Sequence, residues 1–390
     1  MKVVKLRHIS SQIDYGLTTS ATSQNTGNKF LRISDIHNGI VSWDNVPFCK
    51  CSISDVKKYE LHWGDILFAR TGSVGNSYMI QKPPKGSVFA SYLIRIRPNQ
   101  NLVFPPYLSY FFQTADYWNQ IKKSSAGAIN LGLNSTKLKE LELPLPPLSE
   151  QERVASILEK ADRLRHLRRF ALEMSESYLH SVFIEMFGDP VCNPMGWDFI
   201  TLGNYLDFIT SGSRGWAKYY SKKGARFIRS LDVRMNHISD NEAVYVTPPV
   251  SAESKRTLVQ DGDVLLTITG SRIGRVSSVP NNIGEAYVSQ HVAIIRIKEN
   301  LEPEFLAHFL SHPHGGQYQI LKSQYGQTKP GLNLDQIKAF QILYPPNQER
   351  IKFIKVVNSY SQLVNQLKEA ERQAEHLFQS LLHKAFRGEL

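Results

Sequence analysis

The sequence predicts an α+β protein: two strand-rich domains related by pseudo-twofold symmetry and separated by two long antiparallel coiled-coil helices. Three observations predict it. A helical stretch of unusual length follows a proline-rich lead-in, a second copy of that stretch closes the chain, and the segments before the two copies are themselves repeats. The expected divisions are residues 1–148 for the first domain, 149–188 for a central helix, 189–346 for the second domain and 347–390 for a C-terminal helix.

The central helix follows Leu143-Pro144-Leu145-Pro146-Pro147-Leu148. Ser149, with Glu152 three residues on, reads as a capping box. Apolar residues then recur at Val154, Ile157, Ala161, Leu164, Leu167, Ala171, Met174, Tyr178 and Val182, in steps of three and four. That is one stripe on a helix of about 37 residues, roughly 55 Å long. Phe187-Gly188-Asp189-Pro190 stops it. A narrow seam of this length wants a partner helix. The same chain supplies one: Tyr344-Pro345-Pro346-Asn347-Gln348-Glu349-Arg350 repeats the lead-in, and Ile351, Ile354, Val357, Tyr360, Leu363, Leu367 and later residues repeat the seam. The second linker is two residues shorter between Pro-Pro and Gln-Glu-Arg, so the symmetry is approximate.

The domains repeat with a period of about 198 residues. Phe30-Leu31-Arg32-Ile33-Ser34-Asp35-Ile36 answers Phe227-Ile228-Arg229-Ser230-Leu231-Asp232-Val233. Gly64-Asp65-Ile66-Leu67 and then Thr71-Gly72-Ser73 answer Gly262-Asp263-Val264-Leu265 and Thr269-Gly270-Ser271, and Gly132-Leu133-Asn134 answers Gly331-Leu332-Asn333. Within each domain, Ile66–Ala69, Val88–Arg97, Val264–Thr269 and Val288–Lys298 read as strands, bounded by turn residues. Tyr107–Lys122 and Glu304–Lys322 read as short helices. For the long helices to pair antiparallel, the domains must sit at opposite ends.

Composition narrows the function. The net charge is +11, and 17 basic against 9 acidic side chains fall within residues 1–148. Residues 190–346 hold 16 against 13, while the two helices together are neutral. Basic domains on neutral struts point to a polyanion, most often nucleic acid. Three cysteines, Cys49, Cys51 and Cys192, suit a reducing cytoplasm, and Cys49-x-Cys51 alone makes a poor zinc site. No apolar run approaches a membrane span, and the N-terminus lacks a signal-peptide core. There is no P-loop pattern, no Asn/Asp-Pro-Pro-aromatic tetrapeptide of an amino-methyltransferase and no nucleophile elbow. No catalytic, cofactor-binding or metal-ligating residue is therefore assigned.

Gly-Asp-(Ile/Val)-Leu leading into Thr-Gly-Ser, then the proline lead-in to Gln-Glu-Arg and a long helix, all written twice, resembles the specificity subunit of a Type I restriction-modification system. The closing Ala385-Phe386-Arg387-Gly388-Glu389-Leu390 is similar to that family's usual ending. The resemblance covers essentially the whole chain. It implies two target-recognition domains, each reading one part of a bipartite, asymmetric site on double-stranded DNA, with the helices fixing the gap. It also implies two docked methyltransferase subunits that bind S-adenosylmethionine and methylate adenine, with restriction subunits added for cleavage. The chain itself would be non-catalytic. The alternative from a different class is a stand-alone two-headed DNA-binding regulator.

Candidate DNA-binding residues fall in three places. The turn Arg70, Thr71, Ser73 and Asn76 matches Ser271, Arg272 and Arg275, with cations placed differently in the two copies. Its glycines permit a tight backbone and polar tips that reach a groove, although they serve equally to shape a β-turn. Early and late loops add Arg214 and Lys218, and Gln327 and Lys329. Ser91-Tyr92 and Gln290-His291 occupy matching strand starts. For Asn134 and Asn333 the stronger reading is a helix cap. Arg163, Arg165, Arg168 and Arg169 on the central helix read first as a solvated face, with phosphate contact as the alternative.

Overall fold

The computed structural model describes residues 2–37, 39–70, 74–125, 133–175, 178–324 and 331–390. They form two compact units, one of Met1–Leu172 with Leu367–Leu390 and one of Glu173–Gln366. The helix Asn347–Arg387 contributes to both.

Each unit is built on a four-stranded antiparallel sheet. In the first, the strand order is Ser10–Tyr15, Leu93–Pro98, Ile66–Ala69, Ser77–Met79. In the second it is Leu206–Ser211, Val292–Ile297, Val264–Thr267, Val276–Ser278. Side chains alternate between two cores. Ile66, Phe68, Ile94 and Ile96 enter one core, while Leu67 and Leu93 enter another on the opposite face. In the second unit Val264, Leu266, Ala293 and Ile295 enter one core, and Leu265, Val292 and Ile294 the other. Covering on both faces is why these strands read as continuous apolar runs.

Two expected long strands are each two strands. Val88–Phe89 pairs in parallel with Phe30–Leu31, and Leu93–Pro98 then joins the antiparallel sheet. Ala286–Val288 pairs in parallel with Ala225–Ile228, and Val292–Ile297 then joins the antiparallel sheet. The break is a tight turn closed by Leu93 N–H to Ala90 O at 2.9 Å, and by Val292 N–H to Ser289 O at 2.9 Å. The expected helices are also divided. Pro105–Phe111 and Ala115–Ser125 replace Tyr107–Lys122, with Thr114 Oγ1 accepting the Tyr117 amide where the second begins. Pro303–Ser311, Pro313–Gln317 and Tyr318–Ser323 replace Glu304–Lys322, because Pro313 has no amide to continue the ladder.

The long helices run over Leu148–Ser175, Tyr178–Phe187 and Asn347–Arg387. Their starts correct the expected cap. Pro147 O accepts the amides of Glu150 and Gln151 at 3.0 and 3.1 Å, so the helix begins ahead of Ser149, and Glu150 pairs with Arg153. Pro346 O accepts from Glu349 and Arg350 in the same way. Both helices thus start directly after Pro-Pro, and the two Gln-Glu-Arg strings lie two residues out of structural register.

In the first unit Val154, Ala155, Leu158 and Ala161 pack with Phe378, Leu382, Ala385 and Phe386. Arg153 donates to Leu390 O at 2.6 Å and Arg165 meets Glu375 at 3.2 Å, so these helices run antiparallel. In the second unit Phe183 and Phe187 pack with Phe353, and Tyr178 stacks on Tyr360. The expected seam is only partly buried: Leu158 takes the place expected for Ile157, and Leu167 and Met174 are more than half exposed. Among the described residues no helix is long and apolar enough to cross a membrane.

Candidate nucleic-acid interface

Four stretches far apart in sequence converge at the strand break of each unit. In the first, Leu17 N–H donates to Phe89 O at 2.8 Å and Ser91 N–H to Leu17 O at 3.0 Å. Arg70 N–H donates to Tyr92 O at 3.1 Å and Leu133 N–H to Arg70 O at 3.4 Å. The second unit repeats this frame bond for bond. Ser213 N–H donates to Val288 O at 2.9 Å, Gln290 to Ser213 O at 3.0 Å, Ile268 to His291 O at 2.9 Å and Leu332 to Ile268 O at 2.9 Å. Glycine is required at the first step. A Cβ on Gly16 would lie 2.3 Å from Phe89 O, and one on Gly212 would lie 2.2 Å from Val288 O.

The frame presents different side chains in the two units. In the first, the exposed Arg70 guanidinium stands 5.1 Å over the Tyr15 ring. Tyr15 Oη accepts the Ser135 amide at 3.1 Å. Burial raises the Tyr15 phenol, but the bonds with Ser135 and the charges of Arg70 and Lys139 outweigh it and leave the phenol below its ordinary value. Tyr92 is 62% exposed beside the half-buried Ser91. Asn76 is exposed, and its carbonyl accepts the Ala69 amide at 3.0 Å. Thr71 and Ser73 lie outside the described residues.

The second unit carries a polar relay. Arg214 Nε donates to Gln290 Oε1 at 2.6 Å, and the Gln290 amide meets His291 Nε2 at 3.1 Å. His291 Nδ1 bonds Thr269 Oγ1. In that order of donors, a neutral His291 carries its proton on Nδ1 and receives at Nε2. Thr269 was not singled out by sequence; its match to Thr71 was the available signal. Lys218 is exposed near Tyr219, but its neighbour Trp216 is buried against Phe227 and Tyr287 and is core. Gln327 and Lys329 lie outside the described residues.

The turn after Val264–Thr267 holds Ser271, Arg272 and Arg275. Thr267 N–H donates to Arg275 O at 2.8 Å, the counterpart of Ala69 to Asn76. Arg275 therefore stands where the first unit has Asn76, on a turn one residue longer. Ser271 is exposed, whereas Arg272 and Arg275 are half-buried and each keeps one buried guanidinium nitrogen without a hydrogen-bond partner among the described residues. Arg234, which sequence reasoning missed, is near enough for its charge to act on Arg275. Asn134 and Asn333 are caps: their Oδ1 atoms accept the amides of Lys137 and Gln336, each at 2.8 Å. On the first long helix Arg165 pairs with Asp162 and Glu375 and covers the Phe378 ring at 3.7 Å, so it is no free cation. Among the described residues no three His, Cys, Asp or Glu side chains are grouped to hold a metal ion.

A repeated strand-and-helix unit with a conserved frame and divergent polar tips is the architecture of a DNA specificity protein. The family model for the Type I restriction modification DNA specificity domain matches residues 3–171 and 214–375, and the chain belongs to that family. It is 24% identical over 392 residues to the EcoKI specificity subunit of Escherichia coli strain K12, spanning 92% of this chain and 82% of that one. It is equally 24% identical to the StySPI specificity subunit of Salmonella potsdam, again spanning 92% and 82%. The fold is shared with the solved Type-I restriction-modification S subunit from M. genitalium, which is 14% identical with a TM-score of 0.55 over 99% of this chain and 96% of that one. A chain from a structure describing complex assembly and conformational transition of the type I R-M system is 20% identical, with a TM-score of 0.61 over 100% and 98%.

Proposed function

We propose that this chain is the non-catalytic recognition subunit of a cytoplasmic Type I complex. Each unit reads one half of a bipartite, asymmetric site on double-stranded DNA, with residues 1–148 and 189–346 as the two target-recognition domains. The observation that carries this reading is one backbone frame presenting two different polar sets, Tyr15, Arg70 and Tyr92 in one unit and Arg214, Gln290, His291 and Thr269 in the other. A shared scaffold with different hydrogen-bonding tips is what two readers of different base sequences need. The long helices set the gap and dock two methyltransferase subunits, which bind S-adenosylmethionine; restriction subunits join for cleavage. Exposed Leu167 and Phe170 on the first long helix supply apolar surface for such docking.

Modified-base sequencing of host DNA with the gene intact and deleted tests the reading. Loss of adenine methylation at one interrupted, asymmetric motif is the expected result. Unchanged methylation while the methyltransferase is expressed would rule it out and leave the stand-alone regulator, which a gel shift with the chain alone would then detect.

A further inference from the structure

We propose that Arg234, Arg272 and Arg275 of the second unit form a clasp for a phosphate of the DNA backbone. The proposal rests on the reading of this unit as a DNA reader and adds which residues hold its backbone contact. Two hairpins build the site. The turn between Val264–Thr267 and Val276–Ser278 supplies two of the arginines, tightened by Ile273 N–H to Gly270 O at 3.1 Å and Arg275 N–H to Arg272 O at 3.2 Å. The short pair Val233–Arg234 and His237–Ile238 supplies the third. Asn236, at a left-handed φ of 58° in that turn, donates its amide to Val276 O at 2.8 Å and locks one hairpin onto the other.

Three cations are thereby gathered without an anion. No carboxylate among the described residues lies within ion-pair distance of Arg234, Arg272 or Arg275. Burial, and after it the charges of Arg234 and Arg272, pull the Arg275 guanidinium below its ordinary value. Polar satisfaction points the same way. Seven buried side-chain polar atoms lack a hydrogen-bond partner among the described residues, and three that can donate, Thr267 Oγ1, Arg272 Nη1 and Arg275 Nη1, belong to one of these two hairpins. Buried donors are normally paired, so a cluster of orphans marks a place where a ligand completes the network. A neutral base edge would leave the repulsion among three guanidiniums uncompensated. A phosphodiester brings both the charge and two non-bridging oxygens that match the guanidinium fork. In sequence, Asn76 stands where the second half has Arg275, and the shared Arg-x-x-Asp spacing aligns His37 with Arg234.

The test uses the full chain assembled with its methyltransferase, on a duplex carrying the motif found by methylation sequencing. Arg275→Gln and Arg272→Gln should each weaken binding roughly tenfold or more. They should do so uniformly across sequences, and lower the slope of log affinity against log salt by about one. Arg275→Lys, which keeps the charge, should retain most of the slope, and thermal melting of each variant checks the fold independently. If wild type discriminates its motif and the Gln variants keep its full affinity and slope, the clasp is wrong and the reading of the unit stands. A loss confined to one base pair would mean base reading and equally overturn the clasp. If wild type shows no preference for its motif, the functional reading falls and the clasp with it.

Discussion

Gln151 and Arg350 hold the same place in the two units, the fourth residue after Pro-Pro, yet one is neutral and the other charged. Gln151 is fully buried; its Oε1 accepts the Phe104 amide at 2.8 Å, and its Nε2 donates to Leu102 O and Pro146 O. Arg350, equally buried, donates to Glu302, Asn300 O and Pro345 O. Each side chain pins the start of a long helix to the loop beside the domain's short helices. Gln151→Leu strands a donor and two acceptors and should cost at least about 2 kcal/mol. Arg350→Leu leaves Glu302 without its partner and should cost roughly 3–5 kcal/mol. Denaturant titration of each variant reads both.

The first unit buries Arg95 beneath its sheet, bonded to Asp14 at 2.8 and 3.0 Å and to Lys58 O and Glu60 O. The strand register places Thr210 opposite Ile294 where the first unit has Asp14 opposite Arg95. Arg95→Ile alone should therefore destabilise by roughly 3–5 kcal/mol, by leaving Asp14 unpaired. The double change Asp14→Thr with Arg95→Ile should recover much of that loss, giving a clear coupling energy in a double-mutant cycle. Additive effects would show that the ion pair contributes nothing specific.

Gly16 and Gly212 allow the early loop to cross the strand break at backbone distance. An alanine at either position must push that loop away from Phe89 O or Val288 O. Gly16→Ala should relax methylation specificity at one half-site and Gly212→Ala at the other. Sequencing the methylated motifs of each variant distinguishes this from a general loss of activity.

The second unit should be acid-sensitive. Burial, with His180 nearby, lowers His308 to about 4, and burial with His180 and His314 lowers His312 to about 4, partly opposed by Asp189. Both start from an ordinary value of 6.5. The folded state therefore binds fewer protons than the unfolded chain. Stability is full above about pH 6.5 and is lost as pH falls toward 4, by a few kcal/mol in all, on the order of one per pKa unit for each histidine. His308→Leu should flatten the dependence of the unfolding midpoint on pH over that range; an unchanged slope would show that His308 stays neutral for another reason or titrates normally.

Much of this was legible along the chain. The double repeat, the strands Ile66–Ala69 and Val264–Thr267, and the Asn134 and Asn333 caps follow from local pattern and turn chemistry. The matched pairs Arg32 with Asp35 and Arg229 with Asp232 were visible as repeated letters, and in the fold each is a two-point ion pair at 2.7–3.1 Å. The misplaced capping box shows the limit of such reading. Ser149 and Glu152 have the right spacing, but Pro-Pro starts the helix before them, and sequence similarity alone aligned the wrong residues of the two copies.

By itself, then, the sequence determined two similar strand-rich halves, their long helices, their basic surplus and their family. Those properties depend on periodicity and composition, which are carried by neighbours in the chain. Only the tertiary structure decided that Arg214 meets Gln290, 76 residues away, that Trp216 is core, and that Arg234 joins Arg272 and Arg275. Hydrogen-bond and charge partners of that kind are chosen by how hairpins stack on a sheet, and no spacing along the chain encodes the direction in which a side chain finally points.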